Sequence, residues 1–451
     1  MEVVMQQKHG EEKVAIVTLG CEKNKVDSEI MSDLIDRKGY QLVDRPEEAT
    51  VVIVNTCGFI DAAKEESIDT ILEVARLKGH GQLKSLIVAG CLTERYQEIL
   101  LQEMPEIDGL VGTGNIDKIT AVIEESLAGR HPVYVGNPAF SYENISRKRR
   151  EKRASAFVKI AEGCNNQCTF CAIPIMRGKL RSRTIASVTR EVRQLVEEGV
   201  KEVSLIAQDL SNYGVDLTGR SLLPDLLRSL QEIPQLSWIR LHYLYPGAFS
   251  DELLETMATC DKVVPYADIP LQHSEDSILR RMRRPGYQTD IRNLLRRIRD
   301  RIPDVAIRTS IIVGFPGETE EDFENLLSFI KEVKFDRLGV FTYSQEEGTP
   351  AARLKEQVAD EVKEERAGRL MEIQRRITAE RNSRFVGRIL PVLVEKKDEK
   401  NGVYIGRTPY DAVEVDGEVY LTGYRGDVGE IIPVRITHSY DYDLAGVAIN
   451  R

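Results

Sequence analysis

The sequence predicts a multidomain α/β protein: a parallel-sheet domain, then a partial (βα)6 barrel, then a small all-β barrel. Three observations predict it. Over the first 130 residues, apolar runs of four to six residues alternate with helix-period segments. The alternation then resumes with six further strand candidates, and the last 70 residues change to short strands with glycine-containing turns. A chain of 451 residues is also too long for one core and calls for two or three.

In the first region the strands are "VAIVTL", "VVIVN" and "SLIVAG", with helices expected over 27–38 and through "AAKEESIDTILEVARL". Runs this rich in valine and isoleucine suit a sheet covered on both faces, hence a parallel one. Each run leads into a cysteine: Cys21, Cys57 and Cys91. Open α/β sheets bind ligands outside the carboxyl ends of their strands. A single free cysteine reads as a small buried hydrophobe. Three at one topological position read as a shared metal site, with three ligands and no fourth. The basic run 147–153 reads as a solvated connector, with contact to RNA or substrate as the alternative.

The second region offers "AFVKIAEGC", "EVSLIAQD", "WIRLHYLYP", "VVPYADIPLQH", "AIRTSIIVGFPGE" and "RLGVFTYS" as strands, with helices such as 187–198 and 320–332 between them. Six βα units with right-handed crossovers build a partial barrel whose sites lie at the C-terminal mouth. The first strand runs into "GCNNQCTFC", where Cys164, Cys168 and Cys171 have the spacing C-x3-C-x2-C. A structural zinc site closes with four protein ligands, and a 4Fe-4S cluster is usually held by four cysteines. Three thiols leave one metal corner for something that is not protein. A long amphipathic helix is expected over 354–384, followed by strands in "GRILPVLVEKK", "GVYIGRTP", "DAVEVDGEVYLTG", "GEIIPVRITHSY" and "DLAGVAI".

The bulk numbers bound the function. Net charge is −10, which gives no global attraction to nucleic acid. No apolar run approaches the roughly 20 residues of a membrane span, and the N-terminus has no apolar signal segment. A cytoplasmic protein without membrane contact is expected. Seven cysteines, an odd number, argue against a disulfide framework. Cys260, in "MATCDKV", reads as a buried thiol.

The trio at the end of the first strand of six βα units resembles the radical S-adenosylmethionine (AdoMet) superfamily. There, three cysteines hold three irons of a 4Fe-4S cluster, and AdoMet occupies the fourth iron through its amino and carboxylate groups. The wider pattern resembles the methylthiotransferases of that superfamily. "LGCEKNKVDSE", "NTCGFIDAAKEESI", "VAGCLTERY", "GCNNQCTFCAIPIMRGKLRSR" and "IPLQHSEDSILRRMRRP" carry the likeness, which spans residues 12–451. It implies a methylthiotransferase domain over 12–130, a linker over 131–149, a radical AdoMet core over 150–380 and a TRAM (OB-like) barrel over 382–450. It also implies a second 4Fe-4S cluster on Cys21, Cys57 and Cys91. The activity implied is methyl transfer from one AdoMet to cluster-bound sulfur, then attack on an unactivated C–H bond by the 5′-deoxyadenosyl radical made from another. An electron donor such as flavodoxin or ferredoxin is expected.

The family has two branches. One modifies adenosine in tRNA; the other modifies the β-carbon of an aspartate in ribosomal protein S-12. "CEKNKVDSE", "CGFIDAAKEES", "IPIMRG" and "LHYLYP" resemble the second. Charge points the same way. From residue 401 onward there are four basic and eight acidic residues, a balance of −4. An RNA-binding barrel would be basic, whereas an acidic one suits a basic protein partner. A non-catalytic ribosome- or RNA-binding protein with structural metal is the alternative of another class. For AdoMet contacts the candidates are Gln208, Gln272 and Gly314, with Asp209 beside them; bracing of loops is the competing role for each. Arg280, Arg281, Arg283 and Arg284 read as a solvated helix end, and His242 and His273 as packing residues.

Overall fold

The computed structural model describes residues 12–80, 82–136, 142–284 and 288–449. The chain forms two compact units. The first comprises the chain up to Glu151 together with Glu162–Asn165 and Cys171–Leu180; the second comprises Lys152–Ala161, Asn166–Phe170 and the chain from Arg181 onward.

The first unit is built on a parallel six-stranded sheet of β1 (Lys13–Thr18), β2 (Gln41–Leu42), β3 (Val51–Thr56), β4 (Ser85–Gly90), β5 (Gly109–Gly112) and β6 (Val133–Tyr134). The spatial order is β2-β1-β3-β4-β5-β6. Every residue of β3 and β4 is buried. Val52, Val54, Leu86 and Val88 pack on one face with Ile71 and Val74 of helix Asp61–Ala75. The alternate residues Ile53 and Ile87 are equally buried, as a sheet covered on both faces requires.

β2, β5 and β6 were not expected, because two to four residues carry too little pattern. Helix Glu22–Arg37 begins five residues before the expected start at 27. Its first turns bury Lys23, Asn24, Asp27 and Ser28, polar residues that hydrophobic periodicity does not detect. The centre of the expected linker, 137–141, lies outside the described residues. Most of the basic run is exposed, as a solvated connector should be: Lys148, Arg150, Lys152 and Arg153 face solvent. The exception is Arg147, whose side chain is buried and pairs with Glu29 at 2.9 Å; Lys148 pairs with Asp36 at 2.6 Å and Arg150 with Asp44, acids of the same unit.

The second unit holds six parallel strands in two three-stranded sheets. β7 (Ser155–Lys159), β10 (Glu202–Ile206) and β11 (Trp238–Leu241) form one; β12 (Tyr266–Asp268), β13 (Ala306–Val313) and β14 (Arg337–Thr342) form the other. A parallel bridge between Ile239 and Val263 joins them into the expected partial barrel. Two-residue strands, β8 (Ala161–Glu162) and β9 (Arg181–Ser182), flank the cysteine loop in sequence. The long helix is Asp360–Ser383. It starts six residues later than expected, since Ala359 is extended and Leu354 closes a short 3-10 turn.

β15 (Ile389–Asp398), β16 (Val403–Arg407), β17 (Val419–Thr422), β18 (Ile431–Ser439) and β19 (Leu444–Ala448) close a barrel in the order β15-β16-β17-β19-β18. Residues 411–418, expected as strand, form turns instead. The barrel core is continuous with the foot of the partial barrel. Trp238, Tyr266 and Ala306, the first residues of β11, β12 and β13, pack among Leu390, Val392 and Val434. Glu202, first in β10, binds Arg240 at 2.7 Å and Arg407 of β16 at 2.5 Å, all three buried. Burial alone would raise the Glu202 carboxyl; Arg407 and Arg240 override it and hold the group down to about 2. The terminal barrel thus sits at the N-terminal ends of these strands and leaves their C-terminal ends to the candidate site.

Candidate metal centres

β1, β3 and β4 are neighbours in the sheet, in register from Thr18 through Asn55 to Ala89. The cysteines that follow them therefore converge. Cys57 and Cys91 come immediately after their strands; Cys21 stands three residues past β1, at the N-cap of helix Glu22–Arg37. The turns that permit this are glycine turns. Gly20 has φ +81°, and a Cβ there would lie 2.7 Å from Cys57 Cβ; Gly90 has φ +97°, with Thr56 O 2.5 Å from where its Cβ would be. Side-chain amides lock the strand ends together. Asn24 Nδ2 donates to Leu19 O and Thr56 O, and Asn55 Nδ2 donates to Asn24 O and Ser28 Oγ, all at 2.9 Å.

The thiols are close enough to influence one another. Burial pushes the Cys91 thiol up to about 12, and Cys21 and Cys57 add to the rise. Burial likewise raises Cys57. The opposing charge is Arg177, which is almost completely buried. Its Nη2 donates to Cys91 Sγ at 3.3 Å and to Asn24 Oδ1 at 2.7 Å. Its Nη1 donates to both oxygens of Glu162 at 2.9 Å, with Asp27 Oδ2 at 3.5 Å. Sequence reasoning missed Arg177. It lies in "IPIMRG", read there only as branch wording, and the available signal was a lone charge in an otherwise apolar run.

Of the second set, Cys164 and Cys171 belong to the first unit and Cys168 to the second. In the first unit, Cys164 N–H donates to Gly178 O at 3.1 Å, and Ile173 N–H to Cys171 Sγ at 3.4 Å. Gly163, with φ +79°, packs so close to Lys179 O that a Cβ would lie 2.2 Å from it. In the second unit, Thr169 N–H donates to Met282 O and its hydroxyl to Arg281 O. Arg284 then reaches Cys168 Sγ with Nη1 at 3.8 Å, stacks over Tyr245 at 4.4 Å, and donates to Pro270 O. The expected solvated helix end is thus corrected for Arg284, whose guanidinium is drawn in beside a candidate ligand. Arg281 pairs with Glu356.

None of the seven cysteines forms a disulfide, and Cys260 is buried as expected. Among the described residues, no three His, Cys, Asp or Glu side chains stand close enough to define a metal site by distance alone. The fit to iron–sulfur clusters is one of donor chemistry: three soft thiols in each set, with an arginine donating to one sulfur of each.

The candidate AdoMet residues all follow strands of the second unit. Gln208 is half-buried two residues past β10. Gln272, with φ +75°, pairs as a bridge with Ile311 of β13. Gly314 follows β13 with φ +70°, and a Cβ there would lie 2.2 Å from Lys363 Cγ, so a side chain already lies against this glycine. Asp209 accepts from Asn166 at 2.7 Å and Asn212 at 2.6 Å, which makes it a loop brace whose carboxyl is raised by burial. His273 is fully buried, and burial brings its imidazole down to about 3; His242 packs at 3.7 Å from Asp268.

Comparison with known proteins agrees with this architecture. Residues 13–112 match the uncharacterized protein family UPF0004, residues 158–330 the radical SAM superfamily and residues 386–449 the TRAM domain. A ribosomal protein uS12 methylthiotransferase RimO from Geobacter sulfurreducens is 47% identical over 98% of this chain and 100% of its own. That of Heliobacterium modesticaldum is 48% identical over 97% of this chain and 95% of its own. The chain belongs to the RimO family of methylthiotransferases. In fold it resembles the radical AdoMet methyltransferase TsrM from Kitasatospora setae, with a TM-score of 0.54 and 14% identity over 75% of this chain and 77% of that one. It is therefore an enzyme of the radical AdoMet class, with 4Fe-4S clusters and AdoMet as its cofactors. No helix among the described residues is long and apolar enough to cross a membrane.

Proposed function

We propose that this enzyme methylthiolates the β-carbon of an aspartate in ribosomal protein S-12, drawing on AdoMet both for the methyl group and for the radical that opens the C–H bond. The near full-length likeness to RimO proteins carries the reading. The chain carries six cysteines at strand ends and in one loop, where two separate centres can form. When bound, a 4Fe-4S cluster with an open iron supplies the electron that splits AdoMet.

The chain's own residues supply position and exclusion. Cys164, Cys168 and Cys171 are assigned to the AdoMet-cleaving cluster, and Cys21, Cys57 and Cys91 to the cluster that serves sulfur transfer. Gln208, Gln272 and Gly314 are proposed to contact AdoMet at the C-terminal ends of β10, β12 and β13. Arg284 offers a cation beside Cys168, suited to a carboxylate, and its buried Nε–H has no partner among the described residues. Bringing the reacting carbon and the sulfur together without water is the protein's main contribution, because a carbon radical is quenched unless its partner is in contact. A cytoplasmic setting and a flavodoxin- or ferredoxin-like electron donor follow from a ribosomal substrate and a low-potential cluster.

Anaerobically reconstituted enzyme, AdoMet and a reductant should add a methylthio group to S-12, seen by mass spectrometry on the aspartate. An anticodon stem-loop should be untouched. Methylthioadenosine in the RNA, with unmodified S-12 in the same reaction, would assign the chain to tRNA instead.

A further inference from the structure

Arg177 does more than pair with buried acids. Its fork faces two ways: Nη1 is held by Glu162 and approached by Asp27, while Nη2 is aimed by Asn24 at the Cys91 sulfur. A single carboxylate would have neutralised the cation. Instead two carboxylates and an amide, all buried, fix its direction. We propose that Arg177 is a positioning residue for the N-terminal centre, which holds the Cys91 sulfur by a charged hydrogen bond and raises the reduction potential of the cluster bound there. The inference rests on the reading that Cys21, Cys57 and Cys91 hold a cluster.

The physics gives the sign. A reduced cluster carries one more negative charge than an oxidised one. A buried guanidinium at hydrogen-bond distance from a ligand sulfur stabilises that extra charge strongly, because little water screens it. Asp27 and Glu162 oppose the effect while aiming the cation, so the three together set the potential. Chain position adds a consequence. Arg177 ends helix Ile173–Arg177, which starts two residues past Cys171, and Met176 O is held by Thr113 Oγ1 at 2.8 Å. Cys164 is tied to Gly178 by its backbone. The residue that tunes one centre is therefore carried by the segment that bears ligands of the other.

The test uses full-length protein with Cys164, Cys168 and Cys171 replaced by alanine, so that only the N-terminal cluster reports. Potentiometry followed by electron paramagnetic resonance is compared for this parent, Arg177→Lys, Arg177→Met and the pair Asp27→Asn with Glu162→Gln. The potential should fall in Arg177→Met, be largely restored by Arg177→Lys, and rise in the acid pair. A purely structural arginine would lose iron without moving the potential of the cluster that remains. Equal potentials in the parent and Arg177→Met at equal iron would overturn the proposal. If Arg177→Met fails to fold, an unchanged potential in the acid pair would overturn it just as well. A parent without iron would reject the cluster reading itself; iron with a potential indifferent to position 177 would reject this inference alone.

Discussion

Cys21, Cys57 and Cys91 end three adjacent strands of one sheet, whereas Cys164, Cys168 and Cys171 share one eight-residue loop. The two supports differ in stiffness and in access. The strand-end set is locked by Asn24 and Asn55, and its innermost member, Cys91, is 5% exposed. The loop cysteines are all partly exposed, as are Cys21 and Cys57, so the contrast in access rests on Cys91. A centre that must admit and release a cofactor at every turnover needs that access; a centre that stores sulfur needs a protected, fixed site. The difference also appears in the arginines. Arg177 is enclosed against Cys91, while Arg284 lies partly buried beside Cys168.

Deleting either set should separate the two jobs, with the largest effect at the loop. Replacing Cys164, Cys168 and Cys171 by alanine should remove about half the iron, one 4Fe-4S cluster, and abolish reductive AdoMet cleavage, measured as 5′-deoxyadenosine. Replacing Cys21, Cys57 and Cys91 should remove the other half, leave cleavage within a few-fold, and eliminate methylthiolated S-12. A strand-end variant that keeps all its iron would break the comparison, because the second centre would not exist.

A smaller effect is expected at the foot of the partial barrel, where charge is structural. Glu202→Ala leaves Arg240 in the core without its carboxylate and Arg407 with Glu395 alone, and should destabilise the second unit by about 3–5 kcal/mol, read as a fall in the denaturation midpoint. AdoMet cleavage by the protein that remains folded should be unchanged. The pH dependence has a definite sign. Glu202 titrates near 2 in the folded chain, against 4.5 for an ordinary glutamate. Its stabilisation is complete above about 4.5 and is lost as pH falls toward 2. Glu202→Gln should flatten this part of the acid-unfolding curve; a curve parallel to that of the parent would remove Glu202 from the account.

Most of this was legible in the sequence, for reasons that differ by element. β3 and β4 are wholly buried parallel strands and β1 is half-buried beside them, so their apolar runs are continuous and the cysteines behind them stand out. The six strands of the partial barrel and the C-x3-C-x2-C loop were visible for the same reason. β2, β5 and β6 were not, because strands of two to four residues lack a period. Charged residues that act in the interior were the harder class. Arg177, Arg284 and Asp27 look solvated in sequence, since burial of a charge depends on partners remote in the chain. Asp411 and Asp416 show the same effect. Counted as surface charge of the acidic barrel, they are internal: Asp411 pairs with Arg337 and accepts from Thr408, and Asp416 accepts from the Tyr266 hydroxyl at 2.6 Å.

That correction decides how the barrel's acidity should be tested, and the effect expected is the smallest of the series. Reversing Asp411 or Asp416 would damage the fold through Arg337 and Tyr266, and would report nothing about a partner. Asp427, Glu430 and Asp441 are exposed, Glu430 accepting from the Tyr424 hydroxyl and Asp441 pairing with Arg375, and are the acids a basic partner would meet. Changing these three to lysine should slow association with S-12 several-fold, with dissociation nearly unchanged, because exposed charge acts mainly on encounter. The loss should shrink as salt rises, since the pairs are screened within about 8–10 Å at physiological ionic strength. AdoMet cleavage should be unaffected, because the barrel joins the partial barrel at its foot and the cysteine loop follows the opposite ends of the strands. Unchanged on-rates at low salt would mean that the acidic barrel serves solubility and that S-12 is recognised elsewhere. A gain in affinity for tRNA in the same variant, with no change for S-12, would show that the exposed acids act by excluding nucleic acid rather than by attracting protein.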